Sequence, residues 1–128
     1  LPSPGHPPSP IMIEHDLVEI RTTFPTRAAA VACGEQLVRD GLAACVQVEG
    51  PITSIYRWQG GVETAEEWRC GCKTSLTGRD ACLAAISRLH GYEIPELVVS
   101  DVAASAAYAA WVRASVAVGG RALPGKPL

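Results

Sequence analysis

The stretch from Ile52 to about Thr74 constrains this chain more than any other. Ile52 to Gln59 (ITSIYRWQ) is rich in β-branched and aromatic residues, and Val62 to about Thr74 continues the extended pattern. Between them, Gly60-Gly61 suits a two-residue turn, because glycine accepts the positive φ angles such turns need. The arms run about 8 and about 13 residues, against a mean strand of ~5–6. Strands that long overhang the sheet of a small domain. An uncovered overhang leaves backbone donors and acceptors open to aggregation. Pairing with a second copy of the chain removes the hazard, so a closed homo-oligomer is expected, with Tyr56, Trp58 and Trp68 supplying interface area.

The flanks of this hairpin alternate regularly. Leu17 to Thr22 reads as a strand, and Pro25 opens a helix through about Asp40, proline being tolerated in a first turn. In that helix Ala30, Gly34 and Leu37, flanked by Val31 and Val38, form one apolar stripe, and Gly41 marks its stop. Ala43 to Val48 (AACVQV) is a second strand, with Pro51 restarting the chain before the hairpin. A second helix spans Gly78 to His90, with Cys82, Leu83, Ile86 and Leu89 on one side. Leu97 to Val102 is a further strand and Ala106 to Val118 a last helix. The order is βαββαβ plus a C-terminal helix: an α+β, ferredoxin-like sandwich with both main helices on one sheet face.

Three regions follow. Residues 1–12 form a Pro-rich tail, expected to be disordered because half of Leu1 to Pro10 is proline. Residues 13–118 form the domain, and 119–128 a flexible end. With 128 residues, of which 48 % are hydrophobic but only one is Phe, the chain can bury a core that must be aliphatic. A net charge of −2 leaves no basic footprint for nucleic acid. No apolar run reaches the ~20 residues that would cross a bilayer. Five scattered cysteines, an odd number, argue against a disulfide framework and for a reducing compartment. Leu1 to Pro10 lacks the basic and apolar regions of a signal peptide, so a cytoplasmic location is expected.

Several motifs now resemble one family. Ala43-Ala44-Cys45-Val46, then Ser54-Ile55-Tyr56-Arg57-Trp58, then Glu67 leading to Lys73-Thr74, are similar in order and spacing to CutA divalent-cation-tolerance proteins. So are His90-Gly91-Tyr92-Glu93-Ile94-Pro95-Glu96 and the late Tyr108 to Trp111 pair. The resemblance covers roughly residues 15–115. It implies a ferredoxin-like homotrimer, similar to PII signalling proteins, whose long hairpins pair between subunits. It also implies a response to metal ions, with binding of copper or another divalent metal ion, and no enzymatic activity. This chain departs from the family pattern at Gln47, where Asn is common, and at Gly91, where Pro is common. Cys70 and Cys72 stand at strand positions that are typically aliphatic.

Candidate ligands can be named from residue chemistry. Cys45 is a soft thiolate donor of the kind copper(I) prefers, or else a small core residue. Cys70 and Cys72, at i and i+2 of one strand, point to the same face and could pinch a soft ion, or else lie buried. His90 ends the second helix, where a cation is favoured; it could ligate a metal or simply cap the helix. With Tyr92, Glu93 and Lys73 it could line a polar cleft between subunits. Arg57 alternates with Tyr56 and Trp58 as a trimer contact and could pair with Glu67. No second Cys pair completes a four-ligand zinc pattern. A PII-like sensor of a small molecule or anion is the alternative reading, although no Gly-rich phosphate cradle is present. A catalyst is not expected: no nucleophile with an evident base and no paired carboxylates stand out.

Overall fold

The structure, a computed structural model, describes residues 10–116. The tail segments 1–9 and 117–128, including the last two positions of the expected final helix, lie outside the described residues. In chain order the elements are β1 (Ile13–Phe24), α1 (Arg27–Arg39), β2 (Cys45–Trp58), β3 (Gly61–Ser75), α2 (Arg79–Leu89), β4 (Val98–Ser105) and α3 (Ala106–Ser115). The sheet is antiparallel and ordered β2-β3-β1-β4, so two β-α-β halves interleave and β2 and β4 are its edges.

Local chemistry explains most boundaries. Pro25 does not open α1. Thr26 does, with extended φ/ψ and its Oγ1 accepting from the Ala29 N–H at 3.1 Å, a cap of the kind worth ~1 kcal/mol. Ser105 caps α3 in the same way, accepting from the Tyr108 N–H at 3.3 Å. The hairpin turn falls one residue earlier than glycine alone suggests. Trp58 pairs with Gly61, leaving Gln59 and Gly60 as the two turn residues, with φ of 48° and 80°. Both central residues of this turn need positive φ, and Gln59 accepts it beside Gly60.

The two strands expected over 43–48 and 52–59 are one strand with a register shift between Glu49 and Ile52, where the Gly50-Pro51 bond is cis. Pro51 therefore sits within an edge strand at an irregularity, the place where a missing N–H does least damage. From Ile52 and Glu67 outward, β2 and β3 pair with each other alone, giving the overhang anticipated above.

Alternation along β1 sorts the two faces. Val18, Ile20, Thr22 and Phe24 turn toward α1 and α2, and all are buried. With Ala30, Cys33 and Leu37 of α1, Cys70 and Cys72 of β3, and Cys82, Ala85 and Ile86 of α2 they seal this side. The core is not purely aliphatic, because four thiols fill places among the Ala and Ile side chains. Leu89, placed by helical spacing on the buried side of α2, is exposed instead, and Ala85 holds that side. Helix α1 presses close: a Cβ on Gly34 would meet Val46 Cγ1 at 2.9 Å. The opposite face is covered only at one end, where Ala109 and Val112 of α3 bury Leu17 and Ala44.

Candidate functional site

The predicted residues fall into four groups, and the fold decides which can meet. The first lies at the C-terminal end of α2. His90 leaves the helix with extended φ/ψ and stacks on Phe24, ring centroids 4.3 Å apart and 15° between planes. Its Nδ1 accepts from the Tyr92 N–H at 3.2 Å, which requires an unprotonated Nδ1. Nε2 therefore carries the proton and donates to the Thr23 carbonyl at 2.7 Å. Tyr92, its ring 4.9 Å from the imidazole, donates its hydroxyl to Glu67 Oε2 at 3.0 Å. Burial and the facing Glu67 carboxylate push the Tyr92 phenol up to about 12. Gly91 has open space around it, so proline's absence there leaves the imidazole pose to the two ring bonds and the Phe24 stack. A metal ion on His90 would have to displace one of those bonds. Glu93 is exposed on the same loop.

The second group occupies the open sheet face. Lys73 stands opposite Glu19 on one side and Cys45 on the other. Its Nζ lies 3.0 Å from Glu19 Oε2 and donates to Gln47 Oε1 at 3.2 Å. Tyr108 of α3 closes this end: burial first, then the Cys45 thiol, raises its phenol, against the lowering pull of Lys73. Cys45 is half-buried. Lys73 thus points to the face opposite the helices, whereas His90 stacks on helix-side Phe24, so a single chain does not bring the two together.

The third group is the hairpin. Tyr56, Trp58, Ile55 and Val62 are exposed, as an interface awaiting a partner would require. Trp68 instead packs against the core and over Gly50, whose Cβ would meet its ring at 2.6 Å. Arg57 does not pair with Glu67. The register sets Arg57 opposite Val62 and Glu67 opposite Ile52, and Glu67 is held by Tyr92.

Cys70 and Cys72 are fully buried on the helix side. Burial, and then the nearby Cys33 thiol, pushes Cys70 up to about 12; burial and neighbouring thiols raise Cys72 as well. Sequence reasoning missed that Cys33 and Cys82 join them, and that Glu19, Gln47 and Tyr108 surround Lys73. Alternation along β1 puts Glu19 on the face opposite Val18 and Ile20, but the cross-strand register that aligns it with Lys73 carries no local signal. Among the described residues, no three His, Cys, Asp or Glu donors converge on one point.

The chain thus combines an interleaved β-α-β sheet, a long overhanging hairpin and, among the described residues, candidate donors that do not converge. Comparison with known proteins makes this specific. A sequence profile for the CutA1 divalent ion tolerance protein matches residues 18–115. The divalent-cation tolerance protein CutA of Thermus thermophilus is 35 % identical over 92 residues, covering 71 % of this chain and 89 % of that protein. That of Pectobacterium atrosepticum is 32 % identical over 102 residues, covering 79 % and 93 %. Among solved structures, CutA from Synechococcus elongatus superposes with a TM-score of 0.79 at 35 % identity, covering 85 % of this chain and 97 % of that one. CutA1 from Ehrlichia chaffeensis gives 0.78 at 25 % identity, covering 81 % and 98 %. The chain belongs to the CutA1 divalent ion tolerance family. No helix among the described residues is long and apolar enough to cross a membrane.

Proposed function

We propose that the protein is a non-catalytic, cytoplasmic homotrimer that takes up divalent or soft metal ions, copper among them, in the cation-tolerance role its relatives are named for. The observation that carries this reading is the hairpin beyond Ile52 and Glu67, with Ile55, Tyr56, Trp58 and Val62 exposed on it. Apolar side chains on a two-stranded overhang are costly in water and useful at an interface. The free edges β2 and β4 lie at opposite ends of the sheet, so β2 of one copy pairing with β4 of the next is a head-to-tail contact that closes a ring.

Of the four thiol and imidazole candidates, Cys45 and His90 reach the surface, on different faces. A site using them would draw ligands from two subunits, with Tyr92 and Glu93 or Lys73 at its rim.

A second reading, a PII-like sensor of a small molecule or anion, is favoured by the Lys73 ammonium on the open face. CutA from Synechococcus elongatus has also been solved in complex with a Bis-Tris molecule, at 34 % identity and a TM-score of 0.75.

The test is native mass with competitive titration of Cu(I), Cu(II) and Zn(II) against chelators of known affinity. The reading expects a trimer and saturable uptake at a fixed ratio per trimer, lost in Cys45→Ser or His90→Ala. A monomer, or unsaturable uptake unchanged by either variant, overturns it and leaves the sensor reading to be tested with anions.

A further inference from the structure

Phe24, His90 and Tyr92 stand in series. The Phe24 and His90 rings are stacked with centroids 4.3 Å apart, and the Tyr92 ring follows at 4.9 Å from His90. The two outer rings line a groove of about 550 Å³ between α1 and the loop after α2, together with Ala29, Ala32, Gln36 and Leu89. Leu89 and Tyr92 are exposed there. Gln36 Nε2 gives one hydrogen to Asp40 Oδ2 at 2.8 Å and has a second to offer. Asp40 and Glu93, which is exposed next to Tyr92, supply carboxylates beside the lining residues. Rings, an amide donor and carboxylates suit a proline-rich occupant. Polyproline II leaves its carbonyls without internal partners, and PxxP segments dock on aromatic-lined grooves.

This chain contains such a segment. Residues 117–128 lie outside the described residues and beyond the 18–115 that the family profile matches. They include Pro124-Gly125-Lys126-Pro127, a PxxP run flanked by Leu123 and Leu128, with Arg121 and Lys126 as their only charged side chains. The described chain stops within reach of the groove. Val116 lies against the start of α2, where a Cβ on Gly78 would meet its Cγ1 at 3.0 Å. The groove is at the other end of α2, whose 11 residues span about 16 Å, with a sideways step of about 10 Å toward α1. From Val116 to Pro124 the chain can extend about 26 Å, enough for both. Gly119-Gly120 permits the bend that crossing from α3 to the helix side requires. Residues 1–9 are richer in proline but enter at the far end of β1. The 12 residues of that strand put about 36 Å between Ile13 and Phe24, beyond the roughly 28 Å that nine residues of polyproline II span.

We propose that residues 121–128 dock as a polyproline II strap in this groove of their own chain. Pro124 and Pro127, three residues apart and so on one side of such a helix, pack on the Phe24–Tyr92 wall, and Lys126 turns toward Glu93. The strap covers Tyr92 and one side of the loop that carries His90, so any other ligand of that loop has to displace it. Docking within one chain requires no second copy and stands apart from the assembly reading.

The experiment uses the full-length protein with the photo-crosslinker p-benzoylphenylalanine in place of Ala122, prepared from isotopically light and heavy chains refolded together. After irradiation, mass spectrometry maps the crosslinked peptides. Crosslinks to residues 24–36 and 89–92, within chains of one isotope, are expected. Ala32→Arg, at an exposed lining position, should cut their yield by about 5-fold, and the double variant Pro124→Ala/Pro127→Ala by a similar factor, with folding checked by circular dichroism. If Ala32→Arg does not fold, the proline variant decides. Crosslinks to the hairpin or α3 instead, crosslinks at the groove between light and heavy chains, or a yield unchanged in a folded variant would each overturn the proposal.

Discussion

Strand β3 carries two chemistries on alternate residues. Cys70, Cys72 and Thr74 face the helices and are sealed from water, while Arg69, Gly71 and Lys73 face the open side among Glu49, Gln47 and Glu19. The sealed face derives its stability from packing and burial, so removing volume there should cost much. The open face is held by ion pairs that water can replace, so removing a charge should cost little. The same backbone thus supports a face committed to folding and a face available for binding.

Four substitutions or conditions would break or sharpen that contrast. Ile86→Ala, which empties a fully buried site on α2, should lower stability by about 2–5 kcal/mol in urea unfolding at fixed protein concentration. A smaller loss would mean that the helices close over the gap. Tyr92→Phe should cost about 1.5–3 kcal/mol, because it strips Glu67, itself buried, of its hydroxyl donor. If Glu67→Gln restores the loss in Tyr92→Phe, the carboxylate is the source of the effect.

The thiols give a pH signature. Cys70 and Cys82 are each pushed to about 12 by burial, above the ~8.5 of an exposed thiol. A raised folded value means that the native state keeps protons which the unfolded chain releases. Stability from these groups is therefore complete below about pH 8.5 and declines as pH rises toward 12, by about 1.4 kcal/mol per pH unit for each thiol. Urea midpoints at pH 7.5, 9 and 10 should fall accordingly, and Cys82→Ala should flatten the decline. A midpoint that does not move with pH would show that water reaches these thiols.

The smallest effect belongs to the open face. Lys73→Met, which breaks the 3.0 Å contact with Glu19, should cost about 0.2–1 kcal/mol, and less as salt rises. A loss as large as that of Ile86→Ala would place Lys73 inside a dry interface between copies.

Legibility in the sequence followed the range of the interactions. Element types, the hairpin and the buried helical stripes depend on periods of 2.0 and 3.6 and on local turn chemistry, and these could be read along the chain. Positions such as the Thr26 cap and the Gln59-Gly60 turn missed by one residue, because proline and glycine compete with neighbours that can do the same work. The sites were less legible. Cys70 and Cys72 were read as a pair on one face, but their burial depends on α1 and α2 folding over them. Lys73 and His90 were grouped by residue chemistry as the lining of a cleft between subunits, and within one chain they lie on opposite faces of the sheet.

What the sequence by itself determined was the order of elements and the alternation that gives each strand two faces, since both arise from neighbours a few residues apart. Only the tertiary structure decided which face was sealed and which residues met across strands. Strand register joins Lys73 to Glu19 over 54 positions, and helix-on-sheet packing joins Cys70 to Ala30 over 40. Such contacts form when loop closure lets distant segments bury apolar surface together, and no local pattern encodes that choice.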